Sequence, residues 1–445
     1  MGAAGAGEAA RDAGGITMSV LPPLGPPGRD AASEQYERGR ALLGVAPEMD
    51  AIDLVQLDDQ TMELNMGPQH PSTHGVLRLV LDLDGEVVRG CRPDIGFLHT
   101  GFEKDFERHN YQQCIPYTDR MDYLSPLSNN LGFSLAAERL LGVEVPPRGQ
   151  YLRVIMCELA RIASHLIWYG TSALDLGATT PFVYAWRERE KILDINELVS
   201  GVRMHTSFIR VGGLMADVPA EFYGMVEEVV KTFPHRIDEY ETLITGNPIF
   251  RERTQGLGVL SAEDAINYGV TGPTLRGSGV PYDLRKAQPY SSYDQFDFDV
   301  PIGRRGDIYD RYLVRMREMR ESLRIIDQAM AGLPEGPVNT TDRKVALPPR
   351  NEINTSMESL IRHFKLVTEG FRVPTGTVYQ AVESPRGELG FLLVSDGSNR
   401  PYRCKVRAPS FSNLSALPHM AKGELLPDLV AVIGSIDIVL GDVDR

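Results

Sequence analysis

The 445-residue chain is predicted to be an α+β protein, with a central bundle of long helices and small β elements at its N- and C-terminal ends. Three observations predict this. Between Leu124 and Thr245 apolar residues recur at three- and four-residue spacing, the period of amphipathic helices. Leu77–Val88 alternates apolar and polar residues around Asp84-Gly85, as a hairpin does. After Thr377 the pattern returns to alternating, β-branched runs.

The elements follow in order. The first thirty residues are rich in Ala, Gly and Pro and carry too little apolar surface to offset the entropy of ordering, so residues 1–60 are expected to form a flexible extension. Gly5–Ala10 matches G-x-G-x-x-A only formally, because no strand precedes it. No basic segment precedes an apolar core, and Glu8 and Asp12 count against a mitochondrial transit peptide. The folded part begins near Met62, and residues 61–120 hold the hairpin and a polar loop region. Asp82, Asp84 and Gly85 hint at a calcium loop, but the downstream Glu ligand is missing and the turn reading wins.

A helical core is assigned to residues 121–370. Its helices are read at Leu124–Leu141, Tyr151–Leu176, Pro181–Met204 and Pro219–Thr245, with prolines at several starts and glycines at ends. Residues 247–306 read as loop. The next helix, Asp307–Ala331, interleaves Arg311, Arg315, Arg317, Arg320 and Arg324 with acids, which predicts a solvated, salt-bridged face. A shorter helix is placed at Thr355–Thr368. Residues 371–445 form a β/α region with strands at Thr377–Glu383, Glu388–Ser395 and Arg400–Val406.

Composition narrows the function classes. With 46 Lys plus Arg against 60 Asp plus Glu, the net charge of −14 argues against a nucleic-acid binder. The apolar stretch 166–186 is broken by Asp175 and Pro181, and 429–440 is short and contains Asp437, so no span is expected and the chain is read as water-soluble or lying beside a membrane. Cys91, Cys114, Cys157 and Cys404 are scattered, without the pair spacing of a zinc or iron–sulfur site, and read as reduced thiols of a cytosolic compartment.

Four clusters carry chemistry. GPQHPSTHG (67–75) places His70 and His74 in a loop too proline-rich for a helical metal pair. Spacing alone reads it as a polar turn; a mobile loop with a group titrating near neutrality is the functional alternative. YTDRMDY (117–123) gathers Asp119, Arg120, Asp122 and two tyrosines just before a helix, where an acid also favours the N-terminus. Glu158, Arg161 and His165 lie in an otherwise apolar helix running to Asp175 and read as an interhelical ion pair. Arg203 and His205 are placed at the C-terminal end of the next helix.

Several strings occur together and in order: NMGPQHPSTHGVLR (65–78), DIGFLHTGFEK (94–104), PYTDRMDY (116–123), DLRKAQPY (283–290), TSMESLIRHFK (355–365), SDGSNRPYRCK (395–405) and the terminal DVDR (442–445). With them, residues 60–445 resemble the 49-kDa-type subunit family of respiratory complex I, the proton-pumping NADH:quinone oxidoreductase. That family is similar to the large subunit of [NiFe] hydrogenases. A hydrogenase needs thiolates for soft metals, yet Asp122 and Ser125 stand where the first pair would be and the C-terminus has none. A hydrogenase-type catalytic subunit and a non-catalytic scaffold are the disfavoured alternatives.

The resemblance implies an enzyme subunit active only within the multisubunit complex. It would bind quinone and hold no metal or nucleotide of its own. His74 matches the histidine that contacts the quinone headgroup, Tyr123 the tyrosine on its other side, and Asp175 the acid that pairs with that histidine. Arg120 and His205 match residues beside the terminal [4Fe–4S] cluster of the adjacent subunit. Thr100 stands where some mitochondrial relatives carry arginine. Implied partners are the cluster-bearing subunit, the 30-kDa-type subunit and the membrane-arm subunit at the quinone channel, with no nucleic acid. The implied location is peripheral, on the cytoplasmic face of a bacterial plasma membrane or, as the second reading, the matrix side of a mitochondrial inner membrane.

Overall fold

The computed structural model describes residues 61–445. The extension and the formal glycine motif assigned to residues 1–60 lie outside the described residues.

The chain enters as an antiparallel sheet, β1 (Thr61–Met66), β2 (Arg78–Asp84) and β3 (Val87–Asp94), in the order β1-β2-β3. The predicted hairpin is β2–β3. Leu79, Leu81 and Leu83 of β2 all point into the core, as period-two alternation requires. Strand β1 is an addition to the predicted pair. Its edge position buries Met66 and leaves Met62 exposed, so its pattern is too short and too weakly apolar to register.

Helix α1 (Tyr111–Met121) is also absent from the sequence reading, because Pro116 lies inside it. It forms because Asn110 and Gln113 close a capping box and because Tyr111, Cys114, Ile115 and Thr118 are buried. The 117–123 cluster therefore spans the end of one helix and its link to the next, and still lies just before the helix that follows. Replacing Asn110 by Ala is expected to cost about 1 kcal/mol. The check is faster hydrogen exchange at the Gln113 amide, which donates to Asn110 at 2.9 Å.

The bundle consists of α2 (Pro126–Leu141), α3 (Pro147–Asp175), α4 (Thr179–Ser200) and α5 (Glu221–Ile244). Pro147 opens α3 four residues before the predicted start, where a missing N–H costs nothing. Helix α4 ends at Ser200, because Gly201 adopts φ 81° as its left-handed cap. Arg203 and His205 consequently sit in a loop rather than at a helix end, and a two-strand ladder, β4 (Ile209–Arg210) and β5 (Gly213–Leu214), follows them. The 247–306 region contains one- to two-turn helices such as Gly272–Gly277 and Leu284–Ala287, too short to show a period.

Helix α6 (Ile308–Ala331) corrects one prediction: its arginines do not form a single solvated face. Arg311, Arg315 and Glu318 are buried, because α6 packs against α3 in the bundle. Arg311 is satisfied by Gly258 O at 2.8 Å, Gly306 O at 2.9 Å and Ser435 Oγ at 3.1 Å. Only the outer members behave as expected: Arg320 pairs with Asp238 and Glu241, and Arg324 with Asp297. Helix α7 (Met357–Thr368) follows a separate single turn at Arg350–Ile353.

The C-terminal part brings β6 (Gly376–Ser384), β7 (Gly387–Ser395) and β8 (Arg403–Arg407) into a second antiparallel sheet. Helix α2 lies directly on it at Gly132, where an added Cβ would meet the Phe391 ring at 2.9 Å. Helix α8 (Leu426–Ile436) then packs against α3 and α6, and the short α9 (Leu440–Asp444) against α1 and the short helix Pro409–Ser415.

Candidate functional site

Three chain segments converge on one buried guanidinium. Arg386 occupies the tight turn between β6 and β7, where Ser384 pairs with Gly387, and its side chain is fully buried. Its Nη1 donates to Asp122 Oδ2 at 2.7 Å, its Nε to the Asp437 carbonyl at 2.9 Å and its Nη2 to Asp437 Oδ1 at 3.3 Å. Asp122 in turn shapes the link between α1 and α2, accepting from the Leu124 and Ser125 amides at 3.2 and 3.3 Å. The C-terminal segment closes over this link. Gly441 lies so near Met121 that an added Cβ would fall 2.5 Å from its carbonyl oxygen and 3.3 Å from the Tyr123 ring.

Tyr123 and His74 border this centre. Tyr123 is half-buried. Burial raises its phenol pKa and Asp122 raises it further, while the Arg386 charge opposes both. His74 follows the single turn Pro71–Thr73, which packs on α8, and takes φ 53°. It keeps an open path to solvent, yet the surrounding protein and then the Arg386 charge lower its imidazole pKa. One fixed cation thus acts on both candidate donors, and at neutral pH each is a neutral group able to donate a hydrogen bond.

Asp175 is not joined to this centre by a hydrogen bond or ion pair among the described residues. It ends α3 and lines an apolar hollow with Trp168, Tyr169, Phe250, Tyr312 and Gly434, which neither His74 nor Tyr123 lines. Burial pushes its carboxyl up to about 6. Among the described residues no hydrogen bond or ion pair joins Asp175 to His74.

Arg120 and His205 are brought together through Asp119. His205 Nδ1 lies 3.1 Å from the Asp119 carbonyl oxygen, one residue before Arg120, and the Asp119 carboxylate accepts from the Ser207 amide and hydroxyl. Arg120 is exposed and, among the described residues, held by the Pro116 carbonyl at 2.7 Å. Both side chains therefore lie where a neighbouring molecule could reach them.

The Glu158–Arg161–His165 set is a buried network, as an interhelical pairing predicts. Glu158 binds Arg161 and Arg285, and His165 Nε2 lies 2.9 Å from Glu318 Oε2. Desolvation lowers His165 to about 4, so it stays neutral while Arg276 holds Glu318 ionised. All four cysteines are buried, and burial raises Cys91 and Cys157 to about 12. Sequence reasoning misses Arg386, Asp437 and Asp442. The signals for them are an arginine in a two-residue turn between buried strands and an Asp interrupting an apolar run, which by itself reads only as a break in a membrane span.

Residues 175–445 match the family described as respiratory-chain NADH dehydrogenase, 49 Kd subunit. The chain is 60% identical over 389 residues to the second D-type subunit of NADH-quinone oxidoreductase from Chloroflexus aurantiacus, covering 87% of this chain and 95% of that protein. It is 57% identical to the D-type subunit of the same enzyme from Geotalea uraniireducens, covering 87% and 99%. With the second D-type subunit of a Roseiflexus species it shares 58% identity, covering 92% and 99%.

Proposed function

The chain belongs to the 49-kDa subunit family of respiratory-chain NADH dehydrogenase, and from that premise we propose that it forms much of the site where the assembled enzyme reduces quinone. The observation that carries this reading is the placing of Tyr123 and His74 about the buried Arg386 charge. Quinone plus two electrons becomes a dianion unless protons arrive. A phenol and an imidazole are suited to donate hydrogen bonds or protons to its two carbonyl oxygens. Arg386 sits nearby as a fixed positive charge that favours the developing negative one. Asp175, with its raised pKa, stabilises a His74 imidazolium and senses its deprotonation, which requires the 67–75 loop to bring the two into contact.

Electrons from NADH would arrive through a [4Fe–4S] cluster in the adjacent subunit. Arg120 and His205 face that subunit and favour the more negative, reduced cluster, raising its potential. The His205→Met variant is expected to lower the midpoint potential and flatten its pH dependence, as read by redox titration of the complex. An unchanged potential, with no pH dependence in either protein, excludes this role.

No helix of the described residues is long and apolar enough to cross a membrane. We place the chain at the cytoplasmic membrane face, held by the cluster-bearing, 30-kDa-type and membrane-arm subunits, within an enzyme that couples quinone reduction to proton translocation. The direct test is photo-crosslinking of a quinone analogue in the assembled complex. Label is expected on peptides containing His74 or Tyr123 and is competed by quinone; label confined to other subunits refutes the reading.

A further inference from the structure

The charges around Arg386 do not balance. Three carboxylates, Asp122, Asp437 and Asp442, are buried around it, and among the described residues the only other guanidinium facing Asp437 is Arg315. Two fixed cations against three acids, shut away from water, favour holding one proton on the acids. The hydrogen bonds show where. Asp122 is fully engaged, with Arg386 on one oxygen and two amides on the other. Asp437 and Asp442 are not: Asp437 Oδ2 and Asp442 Oδ1 are buried without partners. Among the described residues Asp442 is held by Ser410, whose amide donates to its other oxygen at 3.0 Å. Arg315, stacked 4.3 Å over Trp168, also presents its Nε and Nη2 without acceptors. Buried polar atoms without partners among the described residues, beside the Arg386 charge, are places for water and a held proton.

We propose that Asp437 and Asp442 form a proton-holding pair that resupplies Tyr123 during quinone reduction. The inference rests on the quinone reading given above. In the step, two electrons from the adjacent subunit's cluster enter quinone, and Tyr123 gives its phenolic proton to one quinone oxygen. A water beside the unpaired carboxyl oxygens passes the proton of the pair to the tyrosinate. The O–H bond of the carboxylic acid breaks, that of Tyr123 re-forms, and the carboxylate left behind takes a proton from solvent.

Two further facts fit. Gly441, between the two acids in the chain, packs on the Tyr123 ring, and Asp437, Asp442 and Tyr123 all act on the Arg386 charge. Burial pushes both carboxyls up to about 6, with Asp122 raising each and Arg386 opposing. For Asp437, Arg315 opposes as well.

The test uses the whole complex. Infrared difference spectra on quinone reduction are expected to show loss of a protonated-carboxyl band, and the band should vanish in Asp442→Asn or Asp437→Asn. In those variants turnover should fall by about 10²-fold with little change in quinone KM, and the loss of turnover as pH rises through about 6, where the held proton leaves, should disappear. Asp437→Glu should restore both. If the asparagine variants fail to assemble, Asp437→Glu and Asp442→Glu decide: the band should shift in at least one of them and stay unmoved in Asp175→Glu. Wild-type turnover and pH profile in both variants, or no carboxyl band, overturns the inference. Should Tyr123→Phe collapse turnover while the asparagine variants do not, this inference fails and the quinone reading stands. If Tyr123→Phe and His74→Ala are both silent as well, the quinone reading itself fails.

Discussion

Tyr123→Phe is expected to lower quinone reduction by about 10²–10⁴-fold, the usual scale for losing a positioned proton donor, while NADH oxidation by an artificial acceptor continues. The substitution removes one oxygen from a half-buried ring that packs on Gly441, so the cavity keeps its shape. His74→Ala is expected to act in the same direction. The pH dependence follows from the directions of the shifts. The His74 pKa lies below its ordinary value, so at neutral pH the ring is neutral and donates through an N–H. It becomes a cation only in acid, where Asp175, raised to about 6, is itself losing its charge. A His74–Asp175 ion pair therefore has little room to exist in the free site, and on the proposed reading it is a negative quinone beside His74 that would favour the imidazolium. Asp175→Asn should flatten the acid limb of the turnover profile more than it alters the plateau. Unchanged turnover and quinone affinity in both Tyr123→Phe and His74→Ala would sink the proposed roles.

The fold was legible where one face of an element is apolar. β2 shows its alternation, and α3, almost wholly buried, shows a near-continuous apolar text with a proline start. It was not legible where tertiary burial overrides local preference. Pro116 argues against α1 locally, and Arg311 and Arg315 look like solvent residues by type. Only the neighbouring carbonyls and the Trp168 ring, brought in by distant segments, explain their burial. The site divides similarly. His74, Tyr123 and Asp122 sit in dense polar strings and could be nominated from them. Arg386 and Asp437 are separated from Tyr123 by more than 250 residues of chain, and nothing local marks them as its neighbours. The electrostatic centre of the site is thus a property of the folded chain.

The largest stability effect is expected in the bundle, on Glu158. This carboxylate accepts from Arg161 Nε at 3.2 Å, Arg285 Nη1 at 3.1 Å, the Tyr293 hydroxyl at 2.6 Å and Ser322 Oγ at 2.7 Å, with no exposure to water. Glu158→Ala leaves Arg161 fully buried without a carboxylate of its own, and a buried charge stripped of its partner costs about 3–5 kcal/mol. Arg285 suffers less, because Asp283 still holds it at 2.7 Å. Glu158→Gln should cost less than Glu158→Ala, since it keeps some of the hydrogen bonds.

The difference should depend on pH with a definite sign. Arg161 and Arg285 hold the Glu158 pKa below its ordinary value despite burial. Its contribution is thus fully present above the unfolded pKa of ~4.3 and is lost as pH falls through the lower folded value. Midpoints of wild type and Glu158→Ala should therefore converge in strong acid. The consequence reaches the site, because Arg161 also donates to the carbonyls of Glu383 and Ser384 at 2.6 and 3.0 Å, the residues leading into the turn that carries Arg386. Hydrogen exchange across 384–388 should rise in Glu158→Ala, and quinone reduction should fall with it although Glu158 touches neither Tyr123 nor His74. Equal unfolding midpoints at neutral pH would show that the bundle tolerates an unpaired guanidinium, and the coupling from α3 to the Arg386 turn would fall with that result.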